Sequence, residues 1–86
     1  MGATIRTYLV ECYWPGVSET KLAEAVERAA GETAARCVES ILIPADEIVL
    51  CLFEARSAGA VRDATRRARL PSERIVESVR IQPHRQ

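Results

Sequence analysis

Histidine is almost missing from this 86-residue chain: the one copy, His84, stands near the end. A single imidazole excludes a histidine-rich metal centre, and no serine or cysteine nucleophile can be paired with a histidine base from spacing. Aromatic residues are scarce at 5%, and three of the four (Tyr8, Tyr13 and Trp14, but not Phe53) fall close together. The four glycines are isolated from one another, so a glycine-rich phosphate loop is excluded. Cys12, Cys37 and Cys51 are too few and too scattered for a disulfide framework. None lies two residues from another, as a zinc or redox pair requires, and each reads as a small hydrophobe. Charge of either sign is not in surplus either, since twelve basic and twelve acidic residues cancel to +0. The chain as a whole lacks the field that draws a protein to phosphate backbones or anionic lipid. No apolar run reaches the ~18 residues of a membrane span, and the amino terminus holds no signal-like segment. The expectation is a cytoplasmic protein with neither a nucleic-acid nor a membrane partner.

What is present fits one domain over residues 1–86. A chain of this size buries only about 60–65% of the surface that its unfolded form exposes, so a second copy is a natural cover for leftover apolar surface.

Thr4 to Tyr13 mixes β-branched and aromatic residues, and its alternation sets Tyr8, Val10 and Cys12 against Leu9, Glu11 and Tyr13. That is a strand, broken by Trp14-Pro15-Gly16. Ser18 is placed to cap a helix whose stripe is Leu22, Ala25, Val26, Ala29 and Ala30. Cys37 to Ile43 and Glu47 to Ala55 are strand-like and joined by Pro44-Ala45-Asp46, short enough for a hairpin. Ser57 caps a second helix with Val61, Ala64, Thr65 and Ala68 inward, and Leu70-Pro71 ends it. Ser72-Glu73-Arg74 is expected to add one turn before a last strand from Ile75 to Gln82.

Strand, helix, strand, strand, helix, strand, with right-handed crossovers, gives an α+β fold of the ferredoxin-like βαββαβ type. Its four-stranded antiparallel sheet carries both helices on one face. Ile48 to Phe53 is apolar at every position, so both faces of that strand call for cover. One face meets the helices; the other is expected to meet a second copy, two sheets closing into a dimeric α+β barrel.

Carboxylates within strands are the best candidates for chemistry, because a carboxylate on an apolar sheet face needs an arginine or a metal. Glu11, Glu39 and Glu54 are so placed, with Arg6, Arg36, Arg56 and Arg80 available as ordinary ion-pair partners. Tyr8, Glu11, Glu54 and Trp14 are the candidates for lining a small-molecule pocket on the sheet. Trp14 equally suits a core or dimer anchor. The second helix region is rich in arginine, with Arg62, Arg66, Arg67 and Arg69 against Asp63. It would suit an acidic partner or serve as a plain solvated face.

Three stretches, YLVECYWPG at Tyr8 to Gly16, LCLFEA at Leu50 to Ala55 and AVRDATRRARLPSERIVESV at Ala60 to Val79, together with Glu39-Ser40 and Asp46, carry a resemblance. In their order and spacing the chain resembles a family of small bacterial ferredoxin-like proteins that includes a nickel-binding, nickel-responsive dimer. The resemblance implies a homodimer and a site for nickel or another divalent transition metal. It departs from the family at Ala64, where members carry a histidine, at Ile41 and Leu50, where they carry tyrosines, and at Arg69, where they carry glycine. Donors that remain by position are Glu11, Cys12, Glu39, Cys51, Glu54 and His84.

Three readings of function follow. The first is a homodimeric ligand- or metal-binding domain of the nickel type. A second is a small enzyme or biosynthetic accessory protein with an apolar pocket between sheet and helices or at the dimer interface. The third is an interaction module that uses the arginine-rich helix.

Overall fold

A computed structural model describes residues 4–83. The elements run β1 (Arg6–Tyr13), α1 (Glu19–Ala30), β2 (Ala35–Ile43), a 3-10 turn (Pro44–Asp46), β3 (Ile48–Ala55), α2 (Ala58–Arg67) and β4 (Ser72–Ser78). The strands pair antiparallel in the order β2-β3-β1-β4. This is the expected ferredoxin-like arrangement, with β1 and β3 central and β2 and β4 at the edges.

Both helices begin where their serines stand: Ser18 Oγ accepts from the Lys21 N–H at 3.1 Å, and Ser57 Oγ from the Ala60 N–H at 3.1 Å. Leu22, Ala25 and Ala29 of α1, with Val61, Ala64 and Thr65 of α2, are buried against Tyr8, Val10 and Cys12 of β1 and Val49, Cys51 and Phe53 of β3. All of the core therefore lies on one side of the sheet. Ala30, expected inside, is exposed, because it falls where α1 is already turning away at its Gly31 cap.

β1, β2 and β3 begin at Arg6, Ala35 and Ile48 rather than at Thr4, Cys37 and Glu47, and both boundaries of β4 differ from the pattern reading. Ser72-Glu73-Arg74 is strand rather than a helical turn, since Ser72 and Arg74 take up pairing with Cys12 and Glu11. At the other end β4 stops at Ser78 instead of Gln82, since Ser78 is opposite Thr7 and β1 has almost no strand left to pair with. Helix α2 closes on Arg69, whose φ of 58° is left-handed. The Leu70 N–H donates to the Thr65 carbonyl and the Arg69 N–H to the Arg66 carbonyl, the paired bonds of a Schellman ending. An arginine there costs about 1 kcal/mol relative to glycine, which adopts the conformation freely.

The molecule measures 43 × 36 × 20 Å. Its short axis is the thickness of two layers, a sheet and a helix layer ~10 Å apart. Nothing within the described chain forms a third layer, so the far side of the sheet is the surface left over by the fold.

Candidate functional site

The far face is built by the alternate residues of each strand. Pairing puts Leu9 opposite Leu52 and Val76, Glu11 opposite Leu50 and Arg74, and Tyr13 opposite Ile48. Ile41 and Ile43 continue these rows on β2, facing Leu50 and Ile48. The result is a continuous apolar field in which Tyr13 is 52% and Ile41 49% exposed. Three charged pairs lie on the same face: Arg36 with Glu54 at 3.6 Å, Arg74 with Glu11 at 3.6 Å, and Arg80 with Glu39 at 3.9 Å. Arg80 follows β4 at one edge and Glu39 lies on β2 at the other, so this pair spans the face.

At one end of that field is a hollow of about 330 Å³, lined by Glu11, Cys12, Tyr13, Ile43, Ile48, Leu50 and Glu73. Its walls are apolar and its two charges are both carboxylates. Glu11 is held by Arg74, whereas Glu73 has no ion-pair partner among the described residues. Cys12 stays a neutral thiol there, because burial, reinforced by the Glu73 carboxylate, pushes it up to about 11.

The residues expected to line one pocket are divided by the sheet. Glu11 and Glu54 lie on the open face, but Tyr8 is 5% exposed and packed beneath the helices. Tyr8, away from the irregularity between Glu11 and Cys12, points to the side opposite Glu11 and is not part of the hollow that Glu11 and Cys12 both line. Trp14 is half-buried against the core. Its turn is locked by Glu47, whose carbonyl accepts from the Trp14 N–H at 2.8 Å and whose carboxylate accepts from the Gly16 N–H at 2.8 Å. Trp14 is thus an anchor of the β1–α1 turn. Within the hollow, Glu11 is the expected ligand residue that the fold retains.

The expected metal donors are divided in the same way. Cys12 and Cys51 point inward among the core residues, while Glu11 and Glu39 point outward and are already matched with arginines. His84 lies outside the described residues. Among those described, no three histidine, cysteine, aspartate or glutamate side chains come together as a metal shell.

Pattern reasoning missed Tyr13, Ile43, Ile48, Leu50 and Glu73 as pocket residues. Alternation alone could have grouped Glu11 with Tyr13, and Ile48 with Leu50. Glu73 carried no usable signal, because it was assigned to a helical turn. No helix among the described residues is long and apolar enough to cross a membrane.

Comparison with known proteins bears on the whole of this arrangement. The family described as nickel responsive protein SCO4226-like matches residues 8–77. A solved structure, that of SCO4226 from Streptomyces coelicolor A3(2), superposes with a TM-score of 0.79 at 22% identity, covering 88% of this chain and 99% of that one. At that identity the likeness speaks for the fold. No curated protein matches the chain.

Proposed function

We propose, from the premise that this chain belongs to the family of nickel responsive SCO4226-like proteins, that it is a homodimeric module binding a small ligand with an apolar body and a positive charge on its open sheet face. The observation that carries this reading is the far face itself. Leu9, Leu50, Leu52, Val76, Ile41, Ile43 and Ile48 form an apolar surface that neither helix reaches, crossed by the Arg80–Glu39 pair. Contiguous apolar surface of this kind marks a site of association or ligand binding. Two such faces stacked ~10 Å apart would make one four-layer unit and remove both from water.

The hollow beside Glu11 and Glu73 would then lie at the margin of that interface, and its composition defines the ligand class. Apolar walls select an aliphatic or aromatic body, and Glu73, which has no ion-pair partner among the described residues, selects a positive charge on it. A phenylalkylammonium probe is expected to bind about 10-fold more tightly than the phenylalkanoate of the same length. Glu11→Gln combined with Glu73→Gln should erase the preference. Equal binding of the two probes by the native chain, measured by calorimetry, would remove the ligand class proposed.

Nickel is a second reading, favoured by the family's description. The donor set does not fit it. Carboxylates matched with arginine and thiols turned into the core leave no converging set of thiolate and carboxylate ligands among the described residues. Titration with nickel or zinc is expected to show no binding tighter than about millimolar. Stoichiometric binding in the micromolar range would put the metal ahead of the apolar ligand.

A further inference from the structure

On the helix side of β2, where the sequence suggested only a small hydrophobe, Cys37 shares a polar contact chain with a second cysteine. The register between β2 and β3 shifts between Cys37 and Glu39, leaving Val38 as the extra residue of a bulge. In a regular strand, residues three apart point to opposite faces. The bulge turns both Cys37 and Ser40 inward, with Cys37 opposite Phe53 and Ser40 opposite Cys51. Cys37 Sγ lies 3.6 Å from Ser40 Oγ, and the Ser40 hydroxyl donates to Cys51 Sγ at 3.4 Å. Cys51 is wholly buried in the central strand β3. Cys37 is half-buried on β2, an edge strand that a solute can reach from the side.

We infer that Cys37 and Cys51 form a reactive dithiol that takes up low-molecular-weight disulfides, with Cys37 as the attacking sulfur and Cys51 as the resolving one. The Cys37 thiolate attacks one sulfur of RS–SR, forming the mixed disulfide Cys37–S–SR and expelling RS⁻, which takes up a proton. Cys51 then gives up its proton, and its sulfur displaces the second RS⁻ to close a Cys37–Cys51 disulfide. Two protein thiols are oxidised and one external disulfide is reduced to two thiols. No other oxidant is required.

The assignment of roles follows from the surroundings. A hydrogen bond from the Cys51 thiol, opposed by burial and aided by the Glu39 backbone, lowers Cys37 to about 6. The same bond, together with burial, pushes Cys51 upward and keeps it protonated. Charged groups play little part. Arg36 and Glu39, its near neighbours in the chain, are engaged with Glu54 and Arg80, and neither α1 (Glu24, Glu27, Arg28) nor Glu54 of β3 is among the causes of the shift. Cys12, held as a thiol, is not a competitor. Once Cys37 carries an adduct, the bond that held the Cys51 proton is gone, but burial still opposes its loss. The mixed disulfide therefore accumulates before the ring closes.

At pH 7 a thiol of pKa 6 is about 90-fold more ionised than one of 9, but its lower basicity returns much of that, leaving a rate advantage of only about 3- to 6-fold. The pH profile is the sharper diagnostic. With glutathione disulfide as probe and intact-mass detection, the native chain should react at a rate that rises through pH about 6 and is level by neutral pH. It should end with the mass of two hydrogens lost and Cys37 linked to Cys51 in peptide maps. Cys51→Ala should stop at an adduct on Cys37, with its profile shifted to higher pH. Cys37→Ser should stay unmodified, and Cys12→Ala should behave as native, each variant being checked for a cooperative melt. The proposal is overturned if the native chain keeps all its thiols, if it stops at the adduct, if adducts map to Cys12, or if Cys37→Ser reacts at the native rate.

Discussion

Replacing Leu52 with lysine is expected to weaken self-association about 100-fold, measured by sedimentation equilibrium, while the fold survives. Leu52 sits in the middle of the open face, opposite Leu9 on β1 and Glu39 on β2. In a two-fold dimer each substitution enters the interface twice, so two ammonium groups would be desolvated near one another. About 3 kcal/mol against association is a modest estimate for that, and each 1.4 kcal/mol is about tenfold in Kd. In the separated chain the lysine stem can lie along Leu9 with its ammonium in water, so the melting temperature of the monomer should change little. Glu24→Lys, on the exposed side of α1, is the matching control and should leave association unchanged. A native chain that remains monomeric at high concentration would refute the dimer. An equal response to both substitutions would place the interface elsewhere than on the sheet.

The second large effect is expected at Phe53, which is fully buried and is the largest side chain with no exposure. It projects from β3 toward the helices, beside Tyr8 of β1 and opposite Cys37 of β2. Phe53→Ala should cost about 3–5 kcal/mol, part lost transfer energy and part an unfilled cavity. A domain of this length has only about 5–15 kcal/mol in hand, so the melting temperature should fall by about 15 °C or more. Thermal unfolding must be compared at one protein concentration, since dimerisation would add its own dependence. Leu52→Ala, one residue away but on the opposite face, should cost much less in the separated chain. Comparable losses at the two positions would mean that the sheet does not have one inner and one outer side.

The two faces of that sheet mark how far the chain could be read without coordinates. Period-2 alternation separated Tyr8, Val10 and Cys12 from Leu9, Glu11 and Tyr13, and the serines at 18 and 57 announced both helices. These signals are local, since they depend on strand pleat, helix pitch and the hydrogen-bonding reach of one side chain. The expectation that the far face would be left uncovered came from the same source. Grouping Tyr8 with Glu11 was an error of a different kind: nearness in sequence was taken for nearness in space, although the strand's own alternation argued against it.

Register, by contrast, is a property of pairs of strands and leaves little trace in either one. That Glu73 would line the hollow depended on β4 beginning at Ser72 and pairing back to Cys12. The inward turn of both Cys37 and Ser40 depended on one extra residue, Val38, opposite β3. Local composition settled the order of the elements and the chemistry available to them. Long-range pairing settled which of those groups meet, because a single inserted residue reverses the direction of every side chain beyond it.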